Sequence, residues 1–178
     1  MQQQTVKNSG RRQLTIILVM ALFSLGGSYL LFFSAKSGSG WGTTNNGAFV
    51  QPPVTVQQLD WRSIENVPLG TSGQWWLWTV SDQCRDSCRQ ALQKLRAAHI
   101  LLNREANRVR RGVTTGSAFV TPEDQPDLVR IGASGGRMDE GIYIVDPNGN
   151  LVFFYPLDIN PKLLLADLKR LLKVSQIG

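Results

Sequence analysis

The chain opens on an unbroken apolar block. Leu14 to Phe33 contains no charged residue, and its polar members are only Thr15, Ser24 and Ser28. At about 1.5 Å of rise per residue, that is roughly 30 Å of helix, enough to cross the hydrocarbon core of a bilayer. Further on, Trp75-Trp76-Leu77-Trp78-Thr79-Val80 is a short continuous apolar run, the pattern of a central strand covered on both faces. After it the period changes: Cys88, Ala91/Leu92, Leu95, Ala98/His99 and Leu102 form a helical stripe, with Arg89, Lys94, Arg96 and Arg104 on the wet side. Gly141 to Val145 and Leu151 to Tyr155 read as two strands joined by the type I turn Asp146-Pro147-Asn148-Gly149. Asn160 and Pro161 are the cap and first position of a last helix, with Leu164, Leu168, Leu171 and Leu172 inward and Lys162, Lys169, Arg170 and Lys173 outward.

Two further elements complete the order. Val109 to Val120 is expected as a strand, interrupted by Gly112 and Gly116. Thr121-Pro122-Glu123-Asp124 resembles the start of a helix cut short by Pro126. The sequence strand, cysteine-bearing helix, strand, short helix, strand–turn–strand, helix resembles the thioredoxin topology. It is an α/β fold in which a mixed sheet carries helices on both faces.

The expected organisation is a cytoplasmic tail over residues 1–13, a transmembrane anchor over 14–33, a linker over 34–53 and a thioredoxin-like domain over 54–178. The linker is rich in Gly, Ser, Thr and Asn and ends at Pro52-Pro53. As a flexible coil it would span about 25 Å. Lys7, Arg11 and Arg12 precede the apolar block and no acid does. The positive-inside bias therefore places the N-terminus in the cytoplasm and the domain on the far, periplasmic side of an inner membrane. A cleaved signal peptide is the competing reading. The apolar run is longer than the usual h-region, and Phe33-Ser34-Ala35 is a poor cleavage site.

Charge adds little. The formal net charge is +6, from 19 Lys and Arg against 13 Asp and Glu. Without the three cations that flank the anchor the surplus is about three, too mild to argue for nucleic acid. No Ser/His/Asp set, phosphate-cradling glycine loop or zinc spacing is present. The tryptophans of the 75–80 run are accounted for by core packing.

The candidate chemistry lies in Cys84 and Cys88, the only two cysteines. Cys84 is expected at or just before the helix start and Cys88 in its first turn. Residues four apart on a helix are about 5–6 Å apart, within range of a disulfide after a small adjustment. The same spacing lets two thiolates take one soft ion such as Cu(I). The helix N-terminus, Arg85 and Arg89 favour a thiolate, and Asp82 and Asp86 oppose them. The pair thus moves electrons, holds a metal, or staples a loop. His99, the only histidine, stands eleven residues beyond Cys88, about 16 Å of helix rise, and is expected to be a packed stripe residue.

With the Cys84-x-x-x-Cys88 loop, the anchor, the element order and the Ile142-Tyr143-Ile144-Val145-Asp146-Pro147-Asn148-Gly149 strand and turn, the chain resembles the Sco/SenC family of cytochrome c oxidase assembly proteins. The Trp-rich strand and the Lys169-Arg170-Leu171-Leu172-Lys173 helix resemble a small proteobacterial Sco-like subgroup. The resemblance implies a membrane-anchored domain that carries Cu(I) to, or reduces the thiols of, the oxidase subunit bearing the copper site. Cys84 and Cys88 would be the acting dithiol. Sco proteins complete their metal site with a histidine before the Tyr-x-x-x-Pro strand, and here that place falls near Met138. A thioether suits Cu(I), so Met138 is the candidate third ligand; a loop methionine beside Gly135-Gly136 is the plain alternative. Asp139 and Glu140 read as solvated loop. Thioredoxin-class reductases carry a cis-proline here, and residues 136–141 contain no proline. A general periplasmic thiol–disulfide oxidoreductase and a non-catalytic oxidase-associated scaffold are the competing functions.

Overall fold

The computed structural model describes residues 3–36, 44–64 and 68–175. The chain divides into two compact units, residues 1–44 and 45–178. The first holds α1, Gln3–Lys36, which extends the expected 14–33 helix at both ends. Within it Gly10–Ser34 is the one helix, among the described residues, long and apolar enough to cross a membrane. Its side-chain hydroxyls bond inward: Thr15 donates to the Arg11 carbonyl, Ser24 to Ala21 and Ser28 to Ser24. That is how polar groups are satisfied where no water is available.

The second unit is built on a seven-stranded mixed sheet. In chain order its elements are β1 (Ala48–Phe49), β2 (Trp61–Ser63), β3 (Trp75–Val80), α2 (Asp86–Ile100), a 3-10 turn (Asn103–Arg108), β4 (Val109–Thr114), β5 (Leu128–Ala133), β6 (Gly141–Val145), β7 (Leu151–Tyr155) and α3 (Pro161–Val174). The strands lie in the order β1-β7-β6-β3-β4-β5-β2. β3 occupies the centre, parallel to β4 and antiparallel to β6, and every residue in it is buried. This is the fully covered strand that the apolar run predicts. The β6–β7 hairpin closes through Asp146 to Gly149: the Gly149 N–H donates to the Asp146 carbonyl at 3.0 Å, and Gly149 takes φ +92°, open to glycine without strain. α3 begins at Asn160, whose side chain accepts from the Lys162 N–H at 3.0 Å.

The expected mixed, thioredoxin-like sheet with flanking helices forms, and its two faces are covered differently. α2 and α3 pack side by side on one face, where Ala91, Leu95, Leu164, Leu168 and Leu172 meet Trp75, Leu77, Ile142, Ile144 and Tyr155. The opposite face carries no helix among the described residues. It is closed by the irregular stretch around Val54, Val56 and Leu59 and by a cluster of Trp61, Trp76, Trp78 and Tyr143. Trp61 meets Trp76 and Trp78 edge-on, with ring centroids 5.5 and 4.9 Å apart. Large rings substitute here for a helix as the source of buried apolar area.

Two other expectations change. The helix signalled by Thr121-Pro122 does not form. The Gln125 N–H closes a turn onto the Pro122 carbonyl, and the segment then enters β5. The cause is Arg111, which β4 buries. Its guanidinium donates to Gln125 and Asp127, both at 2.7 Å, and those acceptors come from this segment. The linker expected over 34–53 is in part domain. Residues 37–43 lie outside the described residues, but Ala48 and Phe49 pair with Phe154 and Phe153 of β7. Just before them, Asn46 and Gly47 donate from their backbones to Asp167 of α3 at 2.6 and 3.0 Å. A side chain on Gly47 would meet the Tyr155 ring at 2.4 Å, so only glycine fits this approach.

Candidate functional site

The site is built where β3 ends. Val80 is paired with Gly141, the first residue of β6, and Ser81 follows it with its N–H on the Thr114 carbonyl of β4 at 3.0 Å. That register sets Glu140 beside the outgoing chain. Its Oε1 accepts from the Asp82 N–H at 2.7 Å and from the Ser81 hydroxyl at 3.1 Å. On the other side the Thr115 hydroxyl accepts from the Cys84 N–H at 3.1 Å, and the Gly116 N–H donates to the Asp82 carbonyl at 3.1 Å. The loop from Ser81 to Cys84 is thus held by β4 and by the segment before β6.

Arg85 is the N-cap of α2 and supplies no side-chain acceptor to the first turn. The first-turn backbone donors that this cap leaves without a side-chain partner place partial positive charge beside the sulfurs. Cys84 precedes the helix and Cys88 lies in its first turn, with Cα atoms 5.0 Å apart, and the pair is closed as a disulfide. The two sulfurs differ in access. Cys88 is 0% exposed, packed with Leu92, Val113, Phe119 and Leu128, whereas Cys84 is half-buried at the edge of that cluster. Cys84 also lines an open cleft with Asp82, Arg85, Arg89, Thr115 and Phe119. A partner sulfur therefore meets Cys84 first.

The other candidates lie elsewhere. Met138 is half-buried against the tryptophan cluster and lines a separate cleft with Trp78, Val80 and Asp82, not the one that Cys84 lines. The two clefts share Asp82, and Glu140 ties the Met138 segment to the cysteine loop. His99 is engaged at the far end of α2: its Nε2 lies 2.8 Å from the carbonyls of both Ala106 and Val109. Among the described residues no group of three His, Cys, Asp or Glu side chains is arranged to hold a metal ion. A soft cation at this site would rest on the two cysteine sulfurs in their reduced form.

Glu140 and Thr115 are the residues that sequence reasoning missed. Nothing in their immediate sequence signals the role. It follows from the β3–β6 register and from β4 ending beside the loop, and both depend on the assembled sheet.

Residues 75–175 match the family described as transmembrane-like, thioredoxin-like, C-terminal domain. Among curated proteins, none matches the sequence. Of solved structures, apo Sco1 from Thermus thermophilus is similar with a TM-score of 0.54 and 16% identity, over 74% of this chain and 99% of that one. Yeast Sco1 is similar with a TM-score of 0.50 and 13% identity, over 65% of this chain and 95% of that one. Its copper-bound form scores 0.49 at 15% identity, over 75% and 96%. At these identities the likeness to the first two is one of fold alone, a thioredoxin-like mixed sheet flanked by helices. By the match over residues 75–175, the chain belongs to the transmembrane-like, thioredoxin-like C-terminal domain family.

Proposed function

We propose that this chain is a membrane-anchored, Sco-like dithiol factor for assembly of the copper centre of cytochrome c oxidase, and that it acts by reducing the cysteines of the target site. α1 would span the inner membrane with the N-terminus in the cytoplasm and the domain in the periplasm. One observation carries the reading: a disulfide that joins a cleft-lining Cys84 to a fully buried Cys88. A structural staple has no need of an accessible sulfur, and an exchange dithiol does.

The reaction follows from that asymmetry. In the reduced chain the Cys84 thiolate attacks one sulfur of an oxidised target pair. A mixed disulfide forms and one target thiolate leaves, taking up a proton. The Cys88 thiolate then attacks the Cys84 sulfur and expels the second target thiolate. The target gains two electrons and the chain ends as the Cys84–Cys88 disulfide, to be reset by a dithiol reductant. The Arg85 and Arg89 side chains at the cleft supply positive potential where thiolates develop.

Carriage of Cu(I) as cargo is the second reading, favoured by the 5.0 Å spacing of the pair and by the tie from Glu140 that keeps the Met138 segment beside the cysteine loop. In it Cys84 and Cys88 bind as thiolates and Met138 approaches as a third soft donor. Trapping separates the readings. A Cys88→Ser chain offered an oxidised peptide of the copper site should accumulate a mixed disulfide through Cys84. If no adduct forms, and the reduced wild type instead takes Cu(I) from a competing chelator that the Cys84→Ser/Cys88→Ser double variant does not, carriage replaces reduction.

A further inference from the structure

α3 turns a basic face outward. Lys162, Lys169, Arg170 and Lys173 are exposed, together with Leu163, Ala166 and Val174. At about 100° per residue these positions share one arc of about 140°, and the buried leucines occupy the rest. The helix contains one acid, Asp167, and it is buried. Its carboxylate accepts from the Asn46 and Gly47 backbones, the Asn46 side chain and the Tyr155 hydroxyl, with Arg170 3.9 Å away. Among the described residues no carboxylate forms an ion pair with Lys162, Lys169 or Lys173. Asp158, shortly before the helix, is the nearest acid in sequence on that side.

A solvated cationic helix face is common, but two features give this one a direction. The same chain carries a helix fit to cross a bilayer. The chain also enters the domain on α3 itself, since Asn46 and Gly47 are clasped by Asp167 and the Asn46 side chain reaches the Leu163 carbonyl at 3.4 Å. Only residues 37–45 separate α1 from that clasp. With α1 in a bilayer, a surface so few residues along the chain from it would see lipid at high effective concentration and need little intrinsic affinity to bind it.

We propose that the outward face of α3 docks on anionic lipid headgroups of the membrane that holds α1. The lysines pair with headgroup phosphates, while Leu163 and Val174 enter the boundary with the acyl chains. This rests on the reading of α1 as a membrane anchor. Docking would fix how the domain, and with it the Cys84 cleft, is presented to a membrane-embedded client.

The test uses the full chain in lipid nanodiscs, zwitterionic or one-third anionic, with lysine acylation by an uncharged reagent read by mass spectrometry. Lys94 on α2 serves as the internal reference. Labelling of Lys162, Lys169 and Lys173 should fall at least about threefold in anionic discs and recover at high salt, and Lys169→Gln/Lys173→Gln should restore labelling of Lys162. Equal labelling in both discs, with the chain retained through an alkaline wash, overturns the docking alone. Protection that is the same without anionic lipid overturns it as well. A chain that washes out of the discs contradicts the anchor and the docking together.

Discussion

Glu140 Oε1 accepts a 2.7 Å hydrogen bond from the backbone N–H of Asp82, two positions before Cys84. A carboxylate from the segment before β6 thereby holds the loop that leads into the disulfide. Hydrogen bonds to a charged acceptor are worth about 1.5–3 kcal/mol when sheltered, and less here because Glu140 is exposed. Glu140→Ala should slow exchange of the reduced pair with a small aromatic disulfide by about threefold to tenfold. Glu140→Gln, which keeps an acceptor, should stay within about twofold. Stopped-flow absorbance reads both. Identical rates in all three proteins would show that the tie does not position the loop.

The burial of Cys88 makes alkylation of the reduced chain asymmetric. Cys84 should react with iodoacetamide at least about tenfold faster than Cys88, as mapped by mass spectrometry. Phe119 packs in the cluster that covers Cys88, so Phe119→Ala should narrow that gap. Equal reactivity in the wild type would remove the structural basis for assigning Cys84 as the attacking sulfur.

Asp167 is the acceptor for four donors from two separate stretches of chain, residues 46–47 and Tyr155. Removing it strands those donors in or near the interior. Asp167→Ala should cost about 3 kcal/mol in urea unfolding, and Tyr155→Phe about 1.5 kcal/mol. Burial, and behind it the bond to Asp167, pushes the Tyr155 hydroxyl far above its ordinary value. Loss below about 0.5 kcal/mol for Asp167→Ala would mean that the clasp contributes no net stability.

The Arg111–Asp127 pair predicts an acid limb. Partial burial draws the Asp127 carboxyl upward, but the hydrogen bond and charge of Arg111 prevail and hold it below the ordinary carboxylate value. The unfolded chain therefore binds the proton more readily. The contribution is present above about pH 4 and is lost as the pH falls through the depressed value. Asp127→Asn should flatten the decline of stability below pH 4, read from thermal melts across pH 2–6. An unchanged acid limb would contradict the assignment.

The hairpin, the central strand, α2 and α3 were legible because each carries its own local signal: a Pro-and-Gly turn, a continuous apolar run, a 3.6-residue stripe, an Asn-Pro cap. The short β1 and β2 carry too few residues for a period, and their partners β7 and β5 are distant in sequence. β5 was missed because Thr121-Pro122 offers a sound cap, which the needs of buried Arg111 override. At the site, the two cysteines and their place at the helix start could be read directly. The Glu140 and Thr115 contacts could not, since each follows from strand register. The closure of the second sheet face was hidden for a related reason: nothing local says that Trp61 will close it against Trp76 and Trp78.

Whether the two sulfurs serve oxidase assembly is read from oxidase activity in cells whose only copy of this chain is Cys84→Ser/Cys88→Ser. In those membranes the variant chain should be present at normal level, oxidase activity should be lost, and activity should recover in part when a membrane-permeant dithiol is added during growth. Full oxidase activity in the double variant would contradict that role, and would leave the chain a scaffold that uses its anchor and fold but not its sulfurs.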